Sequence, residues 1–385
     1  MTRDAKPDDN KKPEKPKGTL GRTAVLNIEG LKTQGLSDKN PLSAKDMDQY
    51  NVDTKDDVEV ALYEEKQRTR RIKALLDSLH PACQMGEDDN FRGMVLCGRD
   101  LTHSRFIGSV LKNTKLRECQ LRGVVFKNCD LSGADFRKAD MSEVIFDHCN
   151  LNGADFRHCA LSNARIIDSN LFAINLDYSI LDQSVIDSCE MGAQSFFKAS
   201  CKGITLSNSQ IIHGFFDSAN MAGAKISHML FRDCTLTNTH FEGAVFDNCC
   251  FRACDSIQEG PVFSQCTMNH IAMEDCEFED IKMVDTHINH SRIERVTMDT
   301  ALLEGAVFNN VVFDSGTMRD CYSLEEAPSF THCKLEHIVI DHSELINAHF
   351  NKSAFIGARI IASDFEAWEM KHTGIDGNTT VDSGF

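Results

Sequence analysis

The stretch Cys129–Asp168 reads CDLSGADFRKADMSEVIFDHCNLNGADFRHCALSNARIID. From Leu131 onward a large apolar residue opens every group of five: Leu131, Phe136, Met141, Phe146, Leu151, Phe156, Leu161 and Ile166. A helix repeats its faces every ~3.6 residues and a strand every two, so neither element has this period. The frame extends well beyond the stretch. It runs without a break from Phe91 to Phe251, 33 positions with Cys201 as the one small exception. It shifts by two residues and resumes at Phe263 for 12 positions to Met318, then shifts by two again and resumes at Phe330 for 8, ending at Phe365. Two residues before each large position stands a smaller one, as in Cys119, Val124, Cys129, Ala134, Ala139, Val144, Cys149 and Ala154.

Self-similarity at a short fixed period is the mark of a solenoid, in which each unit buries its apolar face only by stacking on its neighbours. The units ADFRK at Ala134, ADFRH at Ala154 and CNLNG at Cys149 follow one formula: a small residue, Asp or Asn, Leu or Phe, then two polar residues. In this the chain resembles the pentapeptide-repeat proteins over roughly residues 89–367. The resemblance implies an all-β solenoid: a right-handed quadrilateral β-helix with one unit per side and twenty residues per coil. Residues twenty apart should then stack. Ser109, Cys129, Cys149, Ser169, Cys189, Ser209, Met229 and Cys249 form one such column of small residues, and Phe136, Phe156, Leu176, Phe196, Phe216 and Leu236 form a column of large ones. Stacked cysteines lie near the ~4.8 Å interstrand spacing, but parallel side chains seldom offer the Cβ orientation a disulfide needs. The 16 cysteines are therefore expected to be buried packing residues.

Outside the repeats, Asp56–His80 has Val58, Leu62, Thr69, Ile72, Leu76 and Leu79 at helical spacing, with Asp53 or Thr54 as a cap. The reading is an amphipathic helix, within residues 52–82, that covers the open first coil. Residues 1–50 form a largely disordered tail, its first twenty rich in Lys, Pro and Asp. Residues 368–385 form a C-terminal cap or tail, with Trp368 and Met370 set over the last coil or used in a dimer contact. The resemblance favours the dimer, because related proteins pair through their C-terminal coils. No apolar run is long enough to span a membrane, and the N-terminus lacks a secretory signal core, so the expected location is cytoplasmic.

The two frame shifts share a motif. SIQEGPVFSQC starts at Ser256 and SLEEAPSFTHC at Ser323. They divide the repeats into blocks over 89–255, 256–318 and 319–367. Each shift reads as a corner bulge or loop turned by Pro261 or Pro328. One account is an insertion copied by duplication. The other is a pair of projecting recognition loops, carrying Glu259 and Glu326, on a rigid scaffold.

Catalysis needs acid, base or nucleophile converging in a cleft, and no phosphate-binding loop, HExxH, GxSxG or paired CxxC is present. No enzyme activity and no cofactor are expected. His287, His290 and Cys276 lie near one another in sequence, but a structural zinc site wants four closed ligands; solvated polar faces are the simpler reading.

The net charge of −17 disfavours direct binding to nucleic acid or to anionic membranes, and residues 256–385, with 8 basic and 22 acidic side chains, hold most of it. Glu274, Glu294 and Asp314 lie twenty apart, and Glu336 continues the line across the second shift, so they should stack as an acidic stripe. Quinolone-resistance members of the family resemble a DNA rod and occupy type II topoisomerases, and the resemblance implies the same use for such a stripe. DNA as long as residues 256–370, roughly 28 Å at ~4.8 Å per coil, would carry about 16 charges; that segment carries a net −13. Three functions follow in order: a noncatalytic scaffold that binds another protein, a DNA-mimicking topoisomerase modulator, and an exported effector.

Overall fold

A computed structural model describes residues 55–87, 89–364 and 367–382. The expectations for the tail, for the caps Asp53 and Thr54, and for Phe365 lie outside the described residues. The chain divides into two compact units at Thr69/Arg70. Helix α1 spans Lys55–Ser78, and residues 55–69 are the described part of the first unit. In the second unit, Leu75 and Leu76 at the end of α1 pack on the core that Leu79 joins. Arg99 Nη1 also donates to the Leu76 carbonyl at 3.2 Å.

The rest of the second unit is a parallel β-solenoid. Every registered pair is parallel and offset by twenty residues, or by 21 or 22 where the chain carries extra residues. One column of stacked interior residues runs Phe91, Leu111, Leu131, Leu151, Leu171, Met191, Ile211, Phe231, Phe251, Met273, Ile293, Phe313, Leu335, Phe355, Ile375, which is about fifteen coils. We call its side face I. Face II is centred on Ser256, Phe278, Met298, Met318 and Ile340. Face III carries Phe263, Met283, Leu303, Ser323 and Leu345, and face IV Phe246, Met268, Ile288, Phe308, Phe330 and Phe350.

The large residue and the small residue two before it both point inward and are buried. Stacked phenylalanines fill the interior at close spacing, for example Phe308, Phe330 and Phe350 with ring centroids 4.8 and 4.6 Å apart. All sixteen cysteines are free thiols, and fourteen are buried; Cys97 is exposed and Cys250 half-buried. Burial pushes the thiols of Cys159, Cys266 and Cys321 up to about 12. A thiolate is the reactive form. A native thiol assay at pH 8 should therefore read Cys97 quickly and Cys250 slowly, and all sixteen only after denaturation. Fast labelling of four or more would contradict this packing.

The two frame shifts sit differently from the sequence reading. The apolar frame runs one step further each time, and a buried serine, Ser256 or Ser323, takes the central position. The extra residues follow that serine. The β-ladder also continues past residue 367: Glu369–Lys371, Gly374–Ile375 and Thr380–Asp382 pair in register with the coil below.

A third selected position governs the corners. The residue two after each large one has positive φ, as at Gly133 (65°), Asn163 (59°) and His270 (53°). Where Ala134 N–H closes onto Leu131 O at 3.0 Å, this is the φ that a type II turn requires at its third residue. Asn, Asp and His tolerate it best after Gly. Eleven of the 15 histidines occupy such corners, among them His103, His148, His228, His290, His332 and His372. What looks like scattered histidine in the sequence is a backbone requirement.

Candidate functional site

The acidic column forms as expected. Glu274 stands beside Glu294, Glu294 beside Asp314 and Asp314 beside Glu336, all on face I. It does not stand alone. Arg252 reaches Glu274 at 3.3 Å, Arg292 spans Glu294 and Asp314 at 2.7 and 3.0 Å, and Arg295 contacts Glu294 and, at 2.5 Å, Asp275. The Arg295 guanidinium holds the Asp275 carboxyl below its ordinary value. Exposed pairs like these add little to stability, but they cancel much of the field that the stripe would project.

His287, His290 and Cys276 do not converge. The Cys276 thiol is buried and donates to the Phe251 carbonyl at 3.5 Å. The His290 ring stacks on His270 at 5.5 Å on the IV/I corner. No cluster of three metal-ligating side chains exists among the described residues. A shallow open groove of about 710 Å³ runs along that corner past His228, His270, His290, Cys250 and Arg292; its side chains are spread one per coil and do not converge on a point.

The two insertions build one local structure twice. Glu259 O accepts from Asn238 N–H at 2.7 Å and Glu326 O from Gly305 N–H at 2.9 Å. Each proline is buried and turns its carbonyl to the next coil, Pro261 to Lys282 at 3.1 Å and Pro328 to His349 at 2.9 Å. The prolines are therefore anchors. What projects is the residue after each serine, Ile257 at 67% exposure and Leu324 at 65%, followed by Glu259 in one loop and by Glu325 and Glu326 in the other. Sequence reasoning missed these two tips, although the aliphatic residue is common to both motifs.

The first loop leads into face III at Val262 and the second leaves it after Tyr322–Ser323, so the two stand at opposite edges of one face, three coils apart. Their footings differ. Ile257 N–H donates to the Thr237 hydroxyl at 3.2 Å and Gln258 N–H to one Glu279 carboxylate oxygen at 3.1 Å, whereas the Glu304 carboxylate accepts from three N–H groups, those of Leu324, Glu325 and Glu326, at 2.5, 2.8 and 2.7 Å. Those three donors hold the Glu304 carboxyl below its ordinary value. A depressed folded-state pKa gives an anchor that is complete above the unfolded value and is lost as pH falls through the folded one. Amide shifts of Leu324, Glu325 and Glu326 should therefore move together on acidification below the ordinary glutamate range while Ile257 stays put. Equal movement in both loops would refute the asymmetry.

Trp368 is 6% exposed. Its ring lies 5.2 Å from Phe350, and its Nε1–H donates to Asp364 at 2.7 Å. The ring is packed within the interior of its own coil.

A family model described as pentapeptide repeats matches the chain in eight copies, at residues that include 90–128, 104–143, 129–166 and 139–177. Among solved structures, HetL of Nostoc sp. strain PCC 7120, a pentapeptide repeat protein involved in heterocyst differentiation regulation, is 12% identical. The match covers 82% of this chain and 97% of HetL, with a TM-score of 0.19. A pentapeptide repeat protein of the Arabidopsis thaliana thylakoid lumen is 25% identical over 30% of this chain and 66% of that one, with a TM-score of 0.17. Full-length QnrB1, a plasmid-mediated fluoroquinolone resistance protein, is 14% identical over 75% and 94%, with a TM-score of 0.13. No curated protein matches the chain by sequence. Superpositions this loose transfer no functional residue.

Proposed function

The chain belongs to the pentapeptide-repeat family, and from that premise we propose that it is a noncatalytic scaffold presenting face III and its two loops to another protein. The observation that carries this reading is the paired exposure of Ile257 and Leu324. Each would bury ~1.5–3 kcal/mol of apolar side chain if covered, and the solenoid itself has no use for them outside. Loops on a rigid framework lose little entropy on binding. The exposed Ile375 and Val381 on the last coil suit pairing with a second copy.

The test is a photo-crosslinking amino acid placed at 257, at 324 and, as control, at exposed Asn152. Discrete adducts in native lysate from 257 and 324 but not from 152 are expected. The same adducts from all three positions would count against the proposal.

A DNA-mimicking modulator of a type II topoisomerase ranks second. The stripe it needs is formed, but three guanidinium groups answer it. Supercoiling by gyrase is expected to be unchanged at micromolar protein. Inhibition that disappears on combining Glu274→Gln, Glu294→Gln and Asp314→Asn would reverse the ranking.

A further inference from the structure

Between the two loops, face III has an apolar surface with an acidic margin. Val284, Leu302 and Tyr322 are half-buried on it, and Leu324 and Ile346 are exposed. Around them stand Glu259, Asp285, Glu304, Glu325, Glu326 and Glu344, with Lys282 as the one cation among the described residues of this face. In contrast to face I, none of these carboxylates has an ion-pair partner among the described residues; Glu304 is held by backbone N–H groups alone.

Two of them meet. A Cβ placed on Gly305 would lie 2.6 Å from Asp285 Oδ1 and 3.1 Å from Glu326 Oε2, so both carboxylates reach over the same glycine. Like charges this close are unfavourable unless a cation joins them. None of the described residues pairs with either carboxylate as a cation.

The backbone restricts how a partner can sit. N–H and C=O groups on each face are spent on the coils above and below, so a partner strand cannot be added across the face. Docking must be by side chains. Apolar groups repeat along the axis from Leu302 to Tyr322 and from Leu324 to Ile346, one coil apart. That step of ~4.8 Å lies close to the ~5.4 Å pitch of an α-helix.

We propose that face III between Ile257 and Ile346 docks a basic amphipathic helix of a protein partner, with its apolar stripe on Val284, Leu302, Tyr322, Leu324 and Ile346 and one Lys or Arg seated between Asp285 and Glu326. The proposal rests on the scaffold reading and names the partner's chemistry. The surface from the first loop to Ile346 covers four coil steps, about 19 Å, which a helix of about 13 residues would span.

The experiment uses the full chain and three labelled 18-residue peptides: a Leu/Lys peptide with leucines on one helical face, its Leu/Glu counterpart, and a scrambled Leu/Lys peptide of identical composition. Fluorescence anisotropy near physiological salt should show the first binding at least tenfold more tightly than the scramble, and the acidic peptide not binding. Leu324→Ser should weaken binding about tenfold. Asp285→Asn with Glu326→Gln should weaken it similarly and flatten its salt dependence. Glu294→Gln, on the paired stripe, should leave it unchanged. Equal affinity for the scramble, or wild-type affinity in both face III variants, overturns the proposal. The same Leu/Lys peptide added to the crosslinking experiment should block adducts at 324. Adducts that persist undiminished overturn the helix proposal and leave the scaffold standing, whereas absence of adducts at 257 and 324 sinks the scaffold reading itself.

Discussion

Trp368→Ala should open the C-terminal coils while the rest of the solenoid stays folded. The indole fills the small interior position two residues before Met370 and leans on Phe350 at 5.2 Å and Phe355 at 6.5 Å. Above it lies little more than one partial coil, whose Ile375 and Val381 are 49% and 44% exposed. Removing a buried tryptophan ring costs about 3–5 kcal/mol. In a solenoid that cost is not shared across the molecule, because each coil is stabilised only by its neighbours. Native-state hydrogen exchange should therefore speed up at His349–Asn351 by two to three powers of ten, at ~1.4 kcal/mol per tenfold. Val125–Lys127, eleven coils away, should stay at the wild-type rate. Uniform acceleration at both places would mean that the chain unfolds as one cooperative block, and the capping role of Trp368 would be lost with it.

The second large effect needs only one methyl group. At Gly260 a Cβ would stand 2.5 Å from both Asp280 C and Ile281 N and closer still to Glu279 O. All three are backbone atoms of the coil above, held by their own ladder bonds, so the loop would have to move. Gly260→Ala should cost the upper end of the ~1–3 kcal/mol seen for overpacking. It should also shift Ile257 and halve or abolish crosslinking from that site. The corresponding place in the second loop is Ala327, which accommodates its methyl group and is half-buried. Ala327→Gly should cost no more than about 1 kcal/mol. Thermal denaturation of the two variants side by side decides the matter. Equal melting temperatures would show that the first loop is not clamped against its neighbour.

The asymmetry between these two positions shows what a sequence of this kind discloses. The period of five made the solenoid legible because burial acts on every unit alike, from Phe91 to Phe355, and the repeated error of a single substitution is small. The stacking of Glu274 on Glu294 and of Asp314 on Glu336 followed from the same arithmetic once the extra residues were counted. Ser256 and Ser323 broke the pattern only in hydropathy: the Ser256 hydroxyl meets the Glu279 backbone at 3.5 and 3.3 Å, whereas the buried Ser323 hydroxyl has no hydrogen-bond partner among the described residues, so a polar residue sits where the rule asks for a large apolar one. The arginines that answer the stripe were present in the sequence, but pairing depends on side-chain direction across coils, and Arg292 reaches Asp314 twenty-two residues away. The projecting tips Ile257 and Leu324 escaped notice for a related reason. The eye goes to proline at a turn, whereas the turn buries its proline and displays the residue before the bend.

A coil of twenty residues also separates two quantities that most proteins entangle. Deleting twenty residues between the loops, for example 283–302, would lower the second loop by one ladder step of ~4.8 Å and leave its compass bearing unchanged. Deleting five would leave its height nearly as it was and swing it through a quarter turn. Height and bearing thus move in fixed increments and independently, as on a stepped gauge. The distance and angle between two bound partners would be set by whole numbers of residues and not by the flexibility of a linker.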